Sequence, residues 1–343
     1  MTTMKQWTET TPDADFAGLK FEETPVPGVG DSEVLVRFHA SSLNYRDLAI
    51  AKGTFPFAHR YPIVPNSDGA GEVVQVGDKV TEFHKGDKVI TLFNQAHQSG
   101  DIDPHAASSG VGGVIDGALR EFGVYPETGL VKAPHNLDYV AASTLPCAAL
   151  TSWNALYGLK PIKAGQVVLV QGTGGVSIFG LQFAKAAGAK VIATTSSTEK
   201  EKLLKDLGAD HTVNYRTSPG WGSAVRDLTP GKEGVDHIID VGGQGTLEQS
   251  LKCIKMDGVI NIIGFLGASD RPQPTLLDAL SHICTVRGVY VGSRALLKDM
   301  VRAIESTGLK PVVDQKVFEL ANAKEAFQYM ASQKHVGKVV IRL

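Results

Sequence analysis

The chain reads as an α/β protein with a doubly wound parallel sheet and a second, mostly β domain that the chain enters twice. Three observations predict this. Apolar runs without alternation recur from Val167 onwards (VVLVQG, KVIAT, VDHIIDV, GVINIIG, TVRGVYVG), with helical patterns between them. Such runs are strands buried on both faces, and intervening helices imply a parallel sheet. Earlier, from Lys20 to about Pro134, short β-like runs (SEVLVRFHA, GEVVQVG, DKVITLF) are densely punctuated by Gly and Pro, as in a domain of bent strands. After Ser293 a helical LLKDMVRAIES leads to VVIRL, a strand-like end placed to rejoin the first domain. The boundaries fall at residues 1–136 for the first part of the β domain, 137–292 for the parallel-sheet domain and 293–343 for the return segment.

Size and composition agree. With 343 residues the chain is too long for one ordinary core. Hydrophobic residues make up 43% and charged residues 20%, which excludes intrinsic disorder. Lys plus Arg is 34 against 36 Asp plus Glu, so no basic excess exists to track a phosphate backbone, and no nucleic-acid partner is expected. Cys147, Cys253 and Cys284 are too few and too dispersed for a disulfide framework or a CxxC metal cluster. MTTMKQWTET lacks the apolar segment of a secretory signal, and no apolar run approaches the roughly 20 residues that span a bilayer. A reducing, cytoplasmic setting without membrane attachment is the expectation.

The most informative segment is Gly172-Thr-Gly174-Gly175-Val176, directly after the apolar strand and at the start of a helix. The first Gly permits a tight turn, the second lets the backbone approach a pyrophosphate, and the helix N-terminal amides bind its charge. A third small residue is needed for close helix–strand packing, and either Ser177 or Gly180 serves. An NAD site usually carries an acid at the end of the second strand, about 20 residues on. Here VIATTSSTEK supplies Thr195, Ser196 and Ser197 and no acid before Glu199. Hydroxyls with a nearby cation suit a 2′-phosphate, and Lys200, Tyr215 and Arg216 lie near that position in sequence. The expected cofactor is NADP(H).

Several segments, in this order, resemble the medium-chain dehydrogenase/reductase superfamily over nearly the whole chain: SSLNYRDLAIAKG, YPIVPNSDGAGEVVQVG, LPCAALTSWNAL, GTGGVSIFGLQFAKAAGAKVIAT, DVGGQGTLEQSL and VGKVVIRL. Within it the chain is similar to the zinc-lacking, quinone-oxidoreductase-like reductases. The resemblance implies a Rossmann domain plus a discontinuous GroES-like catalytic domain. It also implies where a catalytic zinc would lie in zinc-containing relatives: the matching positions here are Asn44, Ser67-Asp68 and Cys147. Tetrahedral zinc needs three good ligands and one open place, and amide and hydroxyl side chains are poor ones, so no metal is expected. Cys147 then reads as a small buried residue.

In related reductases the Asn44-Tyr45-Arg46-Asp47 segment faces the nicotinamide, which implies that Asn44 donates a hydrogen bond to the acceptor oxygen and that Tyr45 does the same or relays a proton. The competing reading makes Tyr45 a packing residue and Asp47 a loop brace. By the same resemblance Thr151 touches the nicotinamide ribose or ring. Val241, Gly264, Phe265 and Leu266 end strands at the carboxyl edge of the sheet, where open α/β folds bind ligands. Val291 and Ser293 close the cleft in relatives, and Lys338 matches a basic position at the pyrophosphate, or else is a surface charge. His39 and His237 read as satisfied structural histidines.

Without a Lewis acid, hydride transfer to an electron-poor acceptor remains feasible while alcohol oxidation becomes hard. The reaction expected is reduction of an apolar quinone or α,β-unsaturated carbonyl. The alternatives are an alcohol/carbonyl oxidoreductase or pathway enoyl reductase, and, in another class, a non-catalytic NADPH-binding redox sensor. TVRGVYVG could be an edge strand that joins a homodimer.

Overall fold

The computed structural model describes every residue except Met1, Leu266, Ala268, Ser269 and Arg271. The chain divides into two compact units, residues 1–150 with 292–343 and residues 151–291. The first unit opens with β1 (Thr3–Glu9), β2 (Leu19–Pro25), β3 (Glu33–Ser42), β4 (Asp68–Val76), β5 (Lys88–Thr91), β6 (Phe122–Pro126) and β7 (Leu130–Lys132). The second holds β8 (Val167–Gln171), β9 (Lys190–Thr195), β10 (His211–Asn214), β11 (Val235–Asp240), β12 (Ile254–Ile262) and β13 (Thr285–Gly288). The return segment adds β14 (Phe318–Glu319) and β15 (Val340–Arg342).

In the second unit all six strands run parallel in the order β10-β9-β8-β11-β12-β13, with helices between them. The strand order reverses direction between β8 and β11, and the carboxyl ends of those strands form the switch point where such folds bind ligands. Both strands are buried along nearly their whole length. Their uninterrupted apolar character is therefore the signature of a sheet covered on both faces. Val167, Leu169, Ile192, Ile238, Ile260 and Trp221 share one core cluster. His237 lies inside β11, fully buried, and neither ring nitrogen has a hydrogen-bond partner among the described residues. It is structural but not satisfied, and burial pushes its pKa down to about 4, so it stays neutral.

The first unit is built on an antiparallel sheet in the order β14-β15-β3-β4-β5-β7, with β6 pairing the first half of β3. β15 pairs antiparallel with the end of β3 (Val340 opposite Ser42), so the last residues of the chain complete a sheet begun near the first. Trp7 seals this closure by donating its indole N–H to the Leu320 carbonyl at 2.7 Å. Residues 137–150 belong to this unit rather than to the parallel-sheet unit with which their position in sequence grouped them. The physical reason is packing: the helix Tyr139–Ala142 lies on β3 and β4, and the π-helical turn Leu145–Ala149 lies on β4 and β5.

Glu9, the last residue of β1, is buried, and neither carboxylate oxygen has a hydrogen-bond partner among the described residues. Burial, with the Asp47 charge adding to it, pushes its pKa up to about 8 despite the opposing charge of Arg46. The unfolded chain releases this proton in the ordinary carboxylate range. The stabilisation from the neutral acid is therefore fully present below that range and is lost as pH rises towards 8. Glu9→Gln is expected to raise Tm relative to wild type by about 3 °C or more near pH 8 and by much less near pH 5. Melting curves of both proteins across that range provide the check; a Tm difference independent of pH would disprove the assignment.

Candidate active site

In the first unit the site grows out of the end of β3. Ser42 pairs with Asp68, the first residue of β4, so the two strands bring the Asn44 and Asp68 regions together. Asn44 is the extended residue before the helix Tyr45–Ala51, and its backbone N–H donates to Asp47 Oδ2 at 2.8 Å. The Leu43 N–H donates to the Val339 carbonyl at 2.9 Å, which docks the segment before β15 beside the loop. That docking delivers Lys338, 294 residues away in sequence, to Asn44.

Four side chains close a ring there. The Lys338 ammonium donates to Asn44 Oδ1 and lies 3.4 Å from Asp68 Oδ2. Asn44 Nδ2 donates to Ser67 Oγ at 3.3 Å, and Ser67 Oγ donates to Asp68 Oδ1 at 2.7 Å. The third Lys338 donor goes to the Leu43 carbonyl at 2.7 Å. All four residues are buried. A surrounding layer holds the ring: Thr91 Oγ1 donates to the Ser67 carbonyl, and Ser41 Oγ to the Asp68 carbonyl.

From sequence, Asn44 and Ser67-Asp68 group with Cys147 as positions matching a catalytic zinc site, and Lys338 stands apart, at a pyrophosphate or on the surface. The structure corrects this. Lys338 is only 3% exposed, and its three donors are engaged by Leu43, Asn44 and Asp68. Only the chain closure through β15 reveals this, because no local pattern links positions 44 and 338. Tyr45 begins the helix and is 41% exposed, whereas Asn44 is buried.

Arg46, Asp47 and Cys147 lie beside the ring. Arg46 is buried with its guanidinium over the Phe93 and Phe55 rings, donating to Asp47 Oδ1 and the Val111 carbonyl. Burial raises the Asp47 pKa to about 6, against the opposing effects of Arg46 and the Asn44 N–H. Cys147 sits in the π-helical turn, half-buried rather than fully buried as its sequence suggested, and desolvation, with the Asp68 charge next, pushes its thiol well above the usual range. Among the described residues no group of three His, Cys, Asp or Glu side chains could hold a metal ion.

In the second unit the glycine turn has the geometry that its sequence predicts. Gly172 has φ +81°, which excludes most side chains. A β-carbon at Gly172 or Gly174 would meet nothing within 4 Å, so the backbone of the turn borders open space. Gly174 caps the twelve-residue helix Gly175–Ala186, whose first amides are available to an anion. A β-carbon at Gly180 would come within 2.3 Å of Ile239 Cδ1, so Gly180 permits the helix–strand approach, while Ser177 Oγ donates to the Gln171 carbonyl. Val176 offers its carbonyl to Ser152 Oγ at 2.7 Å.

Ser196 follows β9 directly, and the Tyr215 N–H donates to the Thr195 carbonyl at 3.0 Å, which brings Ser196 and Tyr215 to one edge of the sheet. Lys200 lies in the first turn of the helix Thr198–Asp206, capped by Ser197 Oγ. At the switch point a pair missed from sequence joins the ends of β8 and β11. Gln171 Nε2 donates to Asp240 Oδ2 at 3.1 Å, and Gln171 Oε1 accepts the Val241 N–H at 3.2 Å. Gly264 packs so closely that a β-carbon would lie 2.2 Å from the Val241 carbonyl oxygen. Phe265 beside it is 43% exposed, and Leu266 lies outside the described residues. Thr151 is buried in the helix Leu150–Tyr157, the first residue of this unit. Val291, its last residue, has φ +53°, and its carbonyl accepts from Asn154 Nδ2 at 2.7 Å. Ser293 belongs to the first unit and caps the helix Arg294–Thr307 by accepting the Leu296 N–H.

Comparison with known proteins agrees with both units. An alcohol dehydrogenase GroES-like domain model matches residues 30–135, and a zinc-binding dehydrogenase model matches residues 175–306. The chain is 47% identical to a zinc-type alcohol dehydrogenase-like protein of Schizosaccharomyces pombe over 96% of both chains. It is 31% identical to a quinone oxidoreductase-like protein 2 homolog of Nematostella vectensis over 91% of this chain and 82% of that protein. A crystal structure from Sinorhizobium meliloti, provisionally named an alcohol dehydrogenase, superposes with a TM-score of 0.90 at 41% identity over the full length of both chains.

The raised thiol predicts chemistry that is simple to test. Cys147 is expected to react with iodoacetamide near pH 8 far more slowly in the folded protein than in denaturant, because the thiolate is the nucleophile. Mass spectrometry of a time course measures this; labelling at the unfolded rate would rule out the neutral thiol.

Proposed function

Since the chain belongs to the medium-chain dehydrogenase/reductase superfamily, we propose that it is a zinc-independent, NADPH-dependent oxidoreductase that reduces quinones or α,β-unsaturated carbonyls. The observation that carries this reading is the Lys338–Asn44–Ser67–Asp68 ring. A zinc ion does not fit this donor set. An amide and a hydroxyl are poor ligands, and the Asp68 carboxylate already faces an ammonium that would repel a divalent cation. Such a centre offers hydrogen-bond donors in place of a Lewis acid, which suits an acceptor that is already electron-poor.

The residues of the second unit fit a dinucleotide. Gly172, Gly174, Gly175 and Val176 offer an open backbone turn and a helix N-terminus to a pyrophosphate. Ser196, Lys200 and Tyr215, with no acid at the end of β9, support a 2′-phosphate and hence NADPH. When bound, the reduced nicotinamide supplies the hydride. Asn44 has a second amide N–H beyond the one given to Ser67, and its task in this reading is to hold the acceptor oxygen as negative charge develops there. Tyr45, exposed at the helix start, is the side chain suited to pass a proton from solvent.

The test follows NADPH and NADH oxidation by chelator-treated protein with an ortho-quinone, a para-quinone, a simple enone and the matching saturated ketone. Rapid NADPH loss with quinone or enone and none with ketone is expected, and Asn44→Ala should lower kcat about 100-fold. Turnover of the ketone alone, or activity abolished by chelation, would refute the reading. Tight NADPH binding without any turnover would shift it to a redox sensor.

The same reading includes a homodimer. β13 forms the outer edge of the six-stranded sheet, and Leu276, Leu277, Leu280, Ile283 and Val286 are exposed on it and on the preceding helix and turn. An unpaired edge with apolar neighbours favours antiparallel pairing with a second copy about a two-fold axis. Light scattering should give twice the 36.5 kDa chain mass, and Leu277→Glu with Val286→Lys should give the single-chain mass. A monomeric wild type would exclude the dimer.

A further inference from the structure

We propose that Lys338 is a positioning residue that sets the orientation of the Asn44 carboxamide. The inference rests on Asn44 as the donor to the acceptor oxygen. It adds the element that makes Asn44 a donor rather than an acceptor. A carboxamide presents oxygen on one side and an amine on the other, and in isolation the two orientations differ little in shape. An ammonium has donors only, so the atom of Asn44 that faces Lys338 Nζ must be Oδ1. The amine is thereby turned away from the lysine. There it meets Ser67 Oγ, whose own proton goes to Asp68 Oδ1 and whose oxygen accepts. Both neighbours of Asn44 are met by this orientation, but only the ammonium has no alternative, since the Ser67 hydroxyl can rotate and donate instead. Asp68 closes the ring by accepting from both ends, from Ser67 and from Lys338.

The direction of donation runs one way from Lys338 through Asn44 and Ser67 to Asp68. With all three of its own protons placed on Leu43, Asn44 and Asp68, Lys338 has none to give to a ligand. It acts through Asn44, whose remaining N–H is the donor the ring leaves over. An inverted amide would present its oxygen to the acceptor oxygen, and the interaction that should strengthen in the transition state would become repulsive.

The test reads the amide directly. In protein labelled with 15N-asparagine, the Asn44 side-chain pair is identified by its loss in Asn44→Asp. One sharp pair is expected in wild type, and a doubled or exchange-broadened pair in Lys338→Met. Because Lys338→Met leaves Asp68 without its cation, Lys338→Met/Asp68→Asn is measured beside it and should show the same change without an unpaired charge. With a quinone or enone acceptor, kcat should fall about tenfold or more in both variants while KM for NADPH stays within about twofold, and Lys338→Arg, which also donates, should restore most of the loss. A single sharp pair unchanged in both variants would overturn the proposal, as would an unaltered kcat. Absence of turnover in the wild type would defeat the reductase reading alone, and the amide spectrum would still decide the role of Lys338.

Discussion

Taking an ammonium and a carboxylate out of water costs several kcal/mol per ion, and their attraction offsets this only where the remaining donors and lone pairs are also used. Lys338 and Asp68 meet that condition within the Asn44–Ser67 ring and the Leu43 carbonyl. Removing one partner of such a pair typically costs about 3–5 kcal/mol, because the other charge is left stranded. The first unit is therefore constrained around this point. β3 must end where Asn44 can turn into its helix, β4 must begin at Asp68, and the chain end must return beside them. The pairing of β3 with β4 shifts register between Leu35 and Val36 and shifts back between Phe38 and Ala40, so Ser42 meets Asp68 in the register that Val34 and Val76 begin.

The second unit solves a related problem with a neutral partner. Asp240 ends β11 fully buried and is satisfied by Gln171, Ser250, Thr246 and the Gly243 N–H. This joins two strand ends where the sheet order reverses, so the backbone that borders the glycine turn is held by a polar clamp as well as by apolar packing. His237 in the same strand has no such partners, and its environment keeps it uncharged instead. Glu9 in the first unit follows the same rule with the opposite sign, holding a proton that an exposed carboxyl would lose.

The two units thus divide the chemistry. The glycine turn, helix N-terminus and hydroxyl-lined strand end of residues 151–291 are suited to an anionic dinucleotide. The ring of residues 1–150 and 292–343 presents directional hydrogen bonding around one fixed cation. A cation on a covalent tether differs from a metal ion in that it cannot lower the pKa of a bound alcohol by direct coordination. It can fix the polarity of the groups around it, and in this protein that group is the Asn44 carboxamide.

Much of the architecture was legible in the sequence because its signals are local. The apolar runs at β8, β9, β11 and β12 declare strands covered on both faces, and Gly172 declares a turn whose positive φ favours glycine. Asn44, Ser67, Asp68 and Cys147 could likewise be singled out from their motifs. The sequence could not say what those residues do to one another. Lys338 joins Asn44 only through strand pairing across 294 residues, and the allegiance of residues 137–150 is set by packing on β4 and β5. Local backbone preferences and hydrophobic periodicity are written in neighbouring residues, and so the sequence by itself determined the elements and the fold class. Burial of charge and the direction of hydrogen bonds depend on which distant groups meet, and only the tertiary structure decided that.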